Sequence, residues 1–529
     1  MHPAPTLSTH CPYCRQSQFH SNPTFQQQIP NHLDEILNEL ERAELLVARL
    51  LERRSILRRQ LNAIQAPISI LPPEILSVVF ENACRPPDFV KKHNLALTND
   101  REDMVVSEVP EGSHRTQFAL GAVSFNWRQV AFSTPRIWTA VDLGVNPHNV
   151  DKSAAILHSF LIHSGLLSLA LGFRFYLTGV GAEHKALISP TVDPLLIDNA
   201  HRIRELHLSS APKPWADHMS QFTHLTNLSF RDGSTYAVTP LIISGPCSSL
   251  MFHAIRSRPQ LQWAAVTVLH LKGVAVHIGL DLLRKCPNLN EFRSQDASNP
   301  LPEETIELPC GSFSLPHLKL FEWSVDSECA VDGAMLRHAD MPALQKLIWI
   351  EQCPRPFVSI DDPRHIFLHR LPSTLSVLDI NLATCNESDG PTYECVFDHL
   401  RDDLAIEGLR LRKCSYRFLE AVFRRLTPGL TGDDDQTVQR TAFPRLRSMV
   451  IIGPSALDWD GFDGSLILPM IESRFSHHFL PHNSDEPFLL EFEHLDILWE
   501  YDIKQFLKNR VDSGLKLNLV VDSEPVGWL

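Results

Sequence analysis

No apolar run in this chain is long enough to cross a bilayer. The most apolar one, Leu161–Phe173, covers 13 residues and is broken by His163 and Ser164, where a spanning helix needs about 20. An excess of basic charge is missing as well. Acidic residues number 62 against 48 basic ones, a formal net charge of −14, which favours solubility and argues against a protein that reads the nucleic-acid backbone through a basic face. The first thirty residues lack the basic, apolar, small-residue order of a secretory leader. With no span and no leader, the expected location is cytoplasmic and/or nuclear. Eleven cysteines, an odd and scattered set, read in such a compartment as free buried thiols. Enzyme signatures are also wanting: there is no Gly-x-Gly-x-x-Gly, no Walker loop, no His-Glu-x-x-His and no Gly-x-Ser-x-Gly. The expectation is a protein that is not an enzyme and carries no cofactor.

One motif near the start looks chemical. Cys11-Pro12-Tyr13-Cys14 stands between His10 and His20. A redox Cys-x-x-Cys needs a strand that delivers it to a helix N-terminus, which lowers the first thiol's pKa. Here only ten residues precede it, none strand-like. As a metal site, Cys11, Cys14 and His20 offer three ligands, and no second Cys/His pair lies nearby to complete a tetrahedron. The set is a weak metal candidate, and no metal is expected.

At 529 residues the chain is too long for one core, so several units are expected. Residues 1–30, rich in Pro, Gln, Ser and His without hydrophobic period, read as a disordered tail. From 31 to 66 the texture is that of a coiled-coil helix. Alternate steps of three and four from Leu33 reach Ile36, Leu40, Ala43, Val47, Leu50, Arg54, Leu57, Leu61 and Ile64, nine of ten apolar. Asn31 is placed to cap this helix and Pro67 to end it. Its seam fits either self-association through 33–64 or packing back on the same chain.

Beyond Pro67, Pro72 and Pro73 suit a first helical turn, and Ile75, Leu76, Val79, Phe80 and Ala83 recur at helical spacing. Residues 85–117 are polar and read as an inserted loop. Helical period resumes with Leu120, Val123, Trp127 and Val130 on one face, followed by Pro135 and Trp138. Leu71-Pro72-Pro73-Glu74-Ile75-Leu76, then Val123-Ser124-Phe125-Asn126-Trp127-Arg128, then Pro135-x-x-Trp138 resembles an F-box over 67–143. The long insertion after Cys84 and Phe125 in place of a smaller residue depart from that family's pattern. A coiled-coil helix running into such a segment is similar to fungal-type F-box proteins.

From 144 to 529 short apolar runs recur between polar or helix-like stretches. Eight fit apolar-x-x-apolar-x-apolar: Ile203/Leu206/Leu208, Leu225/Leu228/Phe230, Val266/Leu269/Leu271, Leu318/Phe321/Trp323, Leu344/Leu347/Trp349, Leu375/Leu378/Ile380, Ile406/Leu409/Leu411 and Leu446/Met449/Ile451. Pro316, Pro342 and Pro444 each stand two residues before a triplet, where they would stop a preceding helix. Central positions 292, 321, 347, 378 and 409 are spaced by 29, 26, 31 and 31 residues. The expected class is α/β: a long N-terminal helix and a small all-α F-box, followed by an irregular leucine-rich-repeat-like solenoid. A different α/β domain with parallel buried strands is the alternative.

The resemblance implies a substrate-recognition subunit of a cullin-type (SCF-like) ubiquitin ligase. Its F-box would dock on a Skp-type adaptor, and through it on a cullin, while the repeat region binds an unknown target protein. Leu71, Pro72, Ile75 and Leu76 would start the adaptor-facing motif. Val79, Phe80, Val123, Trp127 and Trp138 would add contacts or hold the F-box core. The alternative is a non-degradative interaction scaffold that uses the repeats and the coiled coil. Neither nucleic acid nor membrane is an expected partner.

Overall fold

The computed structural model describes residues 23–65, 71–87, 89, 115–146, 148–176, 182–211, 213–231, 241–298, 311–325, 330–351, 361–382, 399–401, 403–427, 442–453, 462–463, 467–475, 487–494, 497–499 and 501–529. They fall into two compact units, Met1–Val79 with Leu120–Val130 and Phe80–Ala119 with Ala131–Leu529. The division therefore runs through the 67–143 segment. The Cys11, Cys14 and His20 set lies outside the described residues, as does nearly all of the 85–117 loop.

The first element is helix α1 (Pro23–Gln65). It starts eight residues before the expected Asn31 cap, so the end of the supposed tail is helical. Pro23 occupies a first turn, where its missing N–H costs nothing, and the Gln-rich stretch after it has good helix propensity. The chain stays helical across Pro30 despite the usual cost of an interior proline. Every side chain from Asp34 to Arg58 is exposed. Ile36, Leu40, Val47, Leu50, Leu57 and Leu61 are each more than half exposed.

Helix α2 (Pro73–Ala83) follows with Glu74 in its first turn, where a carboxylate suits the helix dipole. The second helical stretch is not the single helix expected. It divides into α3 (Arg115–Val123) and α4 (Phe125–Phe132). Ser124 is the reason: its Oγ accepts from the Trp127 N–H at 3.1 Å, an N-cap that begins a new helix. Arg128 Nε closes the preceding one by donating to the Gly121 carbonyl at 2.8 Å. α3 also takes in the last three residues of the expected 85–117 loop.

The rest is a mixed α/β structure dominated by one large parallel sheet. Its first strands are β1 (Ala140–Val145), β2 (Leu169–Phe175), β3 (Ile203–Ser209), β4 (Asn227–Arg231), β5 (Ser249–His253), β6 (Val268–Lys272) and β7 (Glu291–Gln295). After β8 (Phe313–Ser314) come β9 (Leu320–Val325), β10 (Ala339–Asp340), β11 (Lys346–Glu351), β12 (Val377–Asn381), β13 (Gly408–Arg412) and β14 (Ser448–Ile452). β15 (Phe462–Asp463), β16 (Phe488–Glu493), β17 (Ile497–Leu498), β18 (Leu517–Val521) and β19 (Glu524–Pro525) complete the set. Fifteen strands share the sheet strictly in chain order, while β8 pairs with β10 and β15 with β17 apart from it. Only β19 is antiparallel to its neighbour.

All eight sequence triplets fall on this sheet. Their central residues align in register, from Leu206 and Leu228 through Leu269, Phe321, Leu347, Leu378 and Leu409 to Met449. The lead-in residues Ile203, Leu225, Val266, Leu318, Leu344, Leu375 and Ile406 are fully buried. One apolar row thus crosses the sheet, and a second, two residues on, adds the stacked rings of Trp323 on Phe321 and Phe292. Helices such as Val276–Lys285 join consecutive strands and bury Ile278, Leu280, Leu282 and Leu283, as a parallel connection requires.

Two apolar runs resolve differently from their appearance. Leu161–Phe173 is the end of helix α5 (Val150–His163), a turn at Ser164-Gly165, and strand β2. Gly165 has φ +60°, the left-handed conformation that ends helices. The short apolar stretch Ile497–Leu498 forms β17, which pairs with β15 and not with the large sheet.

Candidate functional site

Two surfaces carry the side chains of interest, one in each unit. The first is helical. Of the residues assigned to docking, Ile75 is 51% exposed, Val79 41% and Val123 56%. Pro72 is exposed too, and Leu71 and Trp127 are half-buried. Leu76, Phe80 and Trp138 are completely buried. Leu76 belongs to the expected docking start, and Phe80 and Trp138 to the residues expected to add contacts or hold the core; all three are enclosed in this chain by itself.

The burial of Leu76 follows from helix geometry. Ile75 and Val79 lie four residues apart on one face, and Leu76 and Phe80 lie four apart on the next, so α2 presents one apolar stripe outward and another inward. Trp138 is fixed within its own unit. Its Nε1 donates to the Ala131 carbonyl at 2.8 Å, and its ring meets Phe118 and Phe160 edge-on at 5.5 and 5.0 Å. Gln117 Nε2 donates to the Ile137 carbonyl at 3.1 Å beside it.

Two exposed residues were not assigned to docking from sequence: Val78, at 54%, and Phe125, at 71%. Val78 was legible in principle, three residues past Ile75 on the same helix. Phe125 stood out as a departure from the family pattern, and its exposure makes it the most accessible aromatic of the segment.

The second surface is the polar face of the sheet between β6 and β13. His270, Arg293 and Glu322 stand in one register row, and Asp379 and Arg410 continue it beyond Ile348. Arg293 Nε also donates to Glu291 at 2.7 Å, and Arg412 pairs with Asp379 from the next strand. Glu322 accepts from Gln295 and is 3.6 Å from Arg293. The hydrogen bond from His270, helped by the Arg293 charge and opposed by burial, holds the Glu291 carboxyl down at about 2. Burial pushes Glu322 and Asp379 the other way, above the usual carboxylate range, against the pull of Gln295 and Arg293 on the first and Arg412 on the second. Burial likewise lowers Lys346, against the nearby Asp379 charge. This ladder holds paired charges at sheet spacing, with His270, Glu322 and Asp379 buried and Glu291, Arg293 and Arg412 partly exposed.

The described thiols are buried. Burial raises Cys247 and Cys286 to about 12 and Cys84 to about 11. All four described cysteines, Cys414 included, are buried, and none forms a disulfide. His365 and His399 approach with their Nδ1 atoms 2.8 Å apart, a hydrogen-bond distance and closer than the ~3.3 Å of two ligands on one tetrahedral zinc. Among the described residues no group of three or more His, Cys, Asp or Glu is placed to hold a metal ion, and no helix is long and apolar enough to cross a membrane. No protein-family model and no curated protein matches the chain.

Proposed function

We propose that this protein is the substrate-recognition subunit of a cullin-type (SCF-like) ubiquitin ligase. In this reading segment 67–143 is an F-box that docks on a Skp-type adaptor and through it on a cullin. The region from 144 onward is an irregular leucine-rich solenoid that binds a target protein.

The observation that carries the reading is the exposed apolar set Ile75, Val78, Val79, Val123 and Phe125, on the elements whose sequence resembles the F-box. Apolar side chains left exposed on short helices are what a protein-binding surface requires, and they support this reading. The sequential parallel sheet, with strands in register and buried lead-in residues, supports the solenoid half, since stacked repeats touch chiefly their neighbours. A subunit of this kind performs no chemistry. It raises the effective concentration of a target beside a recruited conjugating enzyme.

The test is co-purification of adaptor and cullin with the wild-type chain and with an Ile75→Asp/Val123→Asp variant. Both positions are exposed, so folding should survive while adaptor binding is lost. Undiminished capture by the variant would sink the reading. Adaptor captured without cullin, with an unchanged target half-life after deletion of 67–143, would favour the non-degradative scaffold instead.

A further inference from the structure

Helix α1 leaves eleven large apolar side chains uncovered, between 43% and 57% exposed, from Ile36 to Leu61. About half exposure is what a side chain keeps when only its own helix shields it. A single helix with such a stripe gains its stability from packing against a partner. The question is which partner.

The residues beside the seam answer it. With Leu40 and Val47 at a and Leu50 and Leu57 at d, the flanking g and e positions of successive heptads are Glu39/Glu44, Leu46/Leu51 and Arg53/Arg58. The pattern is acidic, apolar, basic, arranged about its own centre. The rest of the helix repeats it. From Asp34 to Leu46 five acids stand against Arg42, and from Val47 to Arg58 four arginines stand against Glu52. An attraction of charges for the helix dipole does not account for this, because that effect fades beyond the terminal turns.

In a parallel in-register pair, g of one helix meets e of the other five residues on. Glu39 would then face Glu44, and Arg53 would face Arg58, on both sides of the seam. Reversing one helix places the acidic half of each copy against the basic half of the other and keeps the apolar heptad in the middle. Around the basic half, Leu50, Arg53, Arg54, Leu57, Arg58 and Leu61 line a shallow open groove. Its apolar floor and cationic rim match the Leu and Glu side chains of the helix's own N-terminal half.

We infer that α1 pairs with α1 of a second copy as an antiparallel two-stranded coiled coil. This inference does not depend on the adaptor reading, because it uses none of the residues after 65.

The experiment is sedimentation equilibrium on the full chain from low to high micromolar concentration. A particle of twice the 59.9 kDa chain mass is expected, and a monomer throughout, or any other assembly, overturns the inference. Leu50→Asp/Leu57→Asp should give a monomer with unchanged thermal unfolding of the sheet region, and a persisting dimer would place the contact elsewhere. Arg53→Glu/Arg58→Glu decides orientation. In an antiparallel pair it sets acid against acid on both sides and weakens the dimer on the order of tenfold or more. In a parallel pair it merely exchanges one like-charge contact for another, so an unchanged dissociation constant overturns the orientation. Adding Glu39→Arg/Glu44→Arg to that variant should restore the wild-type constant, and failure to do so counts against the antiparallel pair. Adaptor capture, measured in parallel on each variant, should not change.

Discussion

His270 Nε2 lies 2.9 Å from Glu291 Oε1 across two neighbouring strands. They are diagonal rather than direct partners: Glu291 is in register with Val268, and His270 with Arg293. The His270 ring is buried, and Glu291 retains 28% side-chain exposure. This contact, with Arg293 on the other side, makes Glu291 the strongest acid of the ladder.

Glu291 should therefore make stability fall in acid. Its folded pKa is about 2 against 4.5 for the unfolded chain, so its contribution is complete above 4.5 and is lost as pH falls through about 2. Glu291→Gln should destabilise by about 1–3 kcal/mol at neutral pH. The penalty should shrink as the pH approaches 2. Thermal unfolding of both proteins across that range checks it, and a penalty that does not shrink would contradict the assignment.

Asp379 should behave with the opposite sign. It is fully buried, its Oδ2 accepts from Arg412, and its Oδ1 has no hydrogen-bond partner among the described residues. Burial raises its pKa, so the stability tied to protonation is complete below 3.8 and disappears as pH rises through the elevated folded value. Asp379→Asn removes that cost. The melting temperature of the variant relative to wild type should be more favourable at pH 8 than at pH 4, as differential scanning fluorimetry would read.

The apolar rows of the sheet were legible because their spacing is that of a strand with a lead-in turned inside. The gaps in the pattern have physical causes. Cys247 takes the lead-in place before β5, buried and donating its Sγ–H to the Leu225 carbonyl at 3.3 Å, and cysteine was not counted among the large apolar residues. In β7 the third position is Ser294, buried although polar. β16 and β18 follow no proline-led triplet and emerge only from pairing in register with β14 and with each other. On the helices, spacing identified apolar residues without telling which of two adjacent stripes faces inward. Ile75 and Leu76 are neighbours in sequence and opposites in exposure. The charged ladder was invisible because its members come from strands about 20 to 30 residues apart, and only register brings them together.

Arg202 illustrates the same limit and yields a third prediction. Its guanidinium is buried, donating to the Leu161 carbonyl at 2.6 Å, the Asn199 Oδ1 at 3.0 Å and the Gly165 carbonyl. It thereby ties the Leu161 carbonyl in the last turn of α5, which the Ser164 hydroxyl also meets at 3.2 Å, to the Gly165 carbonyl of the turn that follows. Arg202→Ala should cost about 3 kcal/mol, since each hydrogen bond from a charged group contributes about 1.5–3 kcal/mol and the freed carbonyls are only partly rehydrated. Gly165→Ala, at φ +60°, should cost only about 1 kcal/mol. Chemical denaturation of both variants tests the order, and equal losses would mean that Arg202 does not cap the helix.

The last prediction separates core from surface within the 67–143 segment. Trp138 and Ile75 both belong to the sequence pattern that resembles an F-box, yet one is completely buried and the other 51% exposed. Trp138→Ala removes a fully packed ring and one of the two hydrogen bonds on the Ala131 carbonyl, and should destabilise the second unit by about 3–5 kcal/mol. Trp138→Phe keeps most of the volume but removes one of the two hydrogen bonds on that carbonyl, which the Thr134 N–H still meets at 3.3 Å, a loss of about 1 kcal/mol. Ile75→Asp should leave the melting temperature within a degree or two of wild type, because exposed substitutions usually change stability by less than about 0.5 kcal/mol. Adaptor capture should show the reverse order at a temperature where all three variants are folded: lost in Ile75→Asp and retained in Trp138→Phe. If Trp138→Phe lost the adaptor while remaining as stable as Ile75→Asp, the buried tryptophan would be a contact residue after all, and the division of roles read from burial would be wrong.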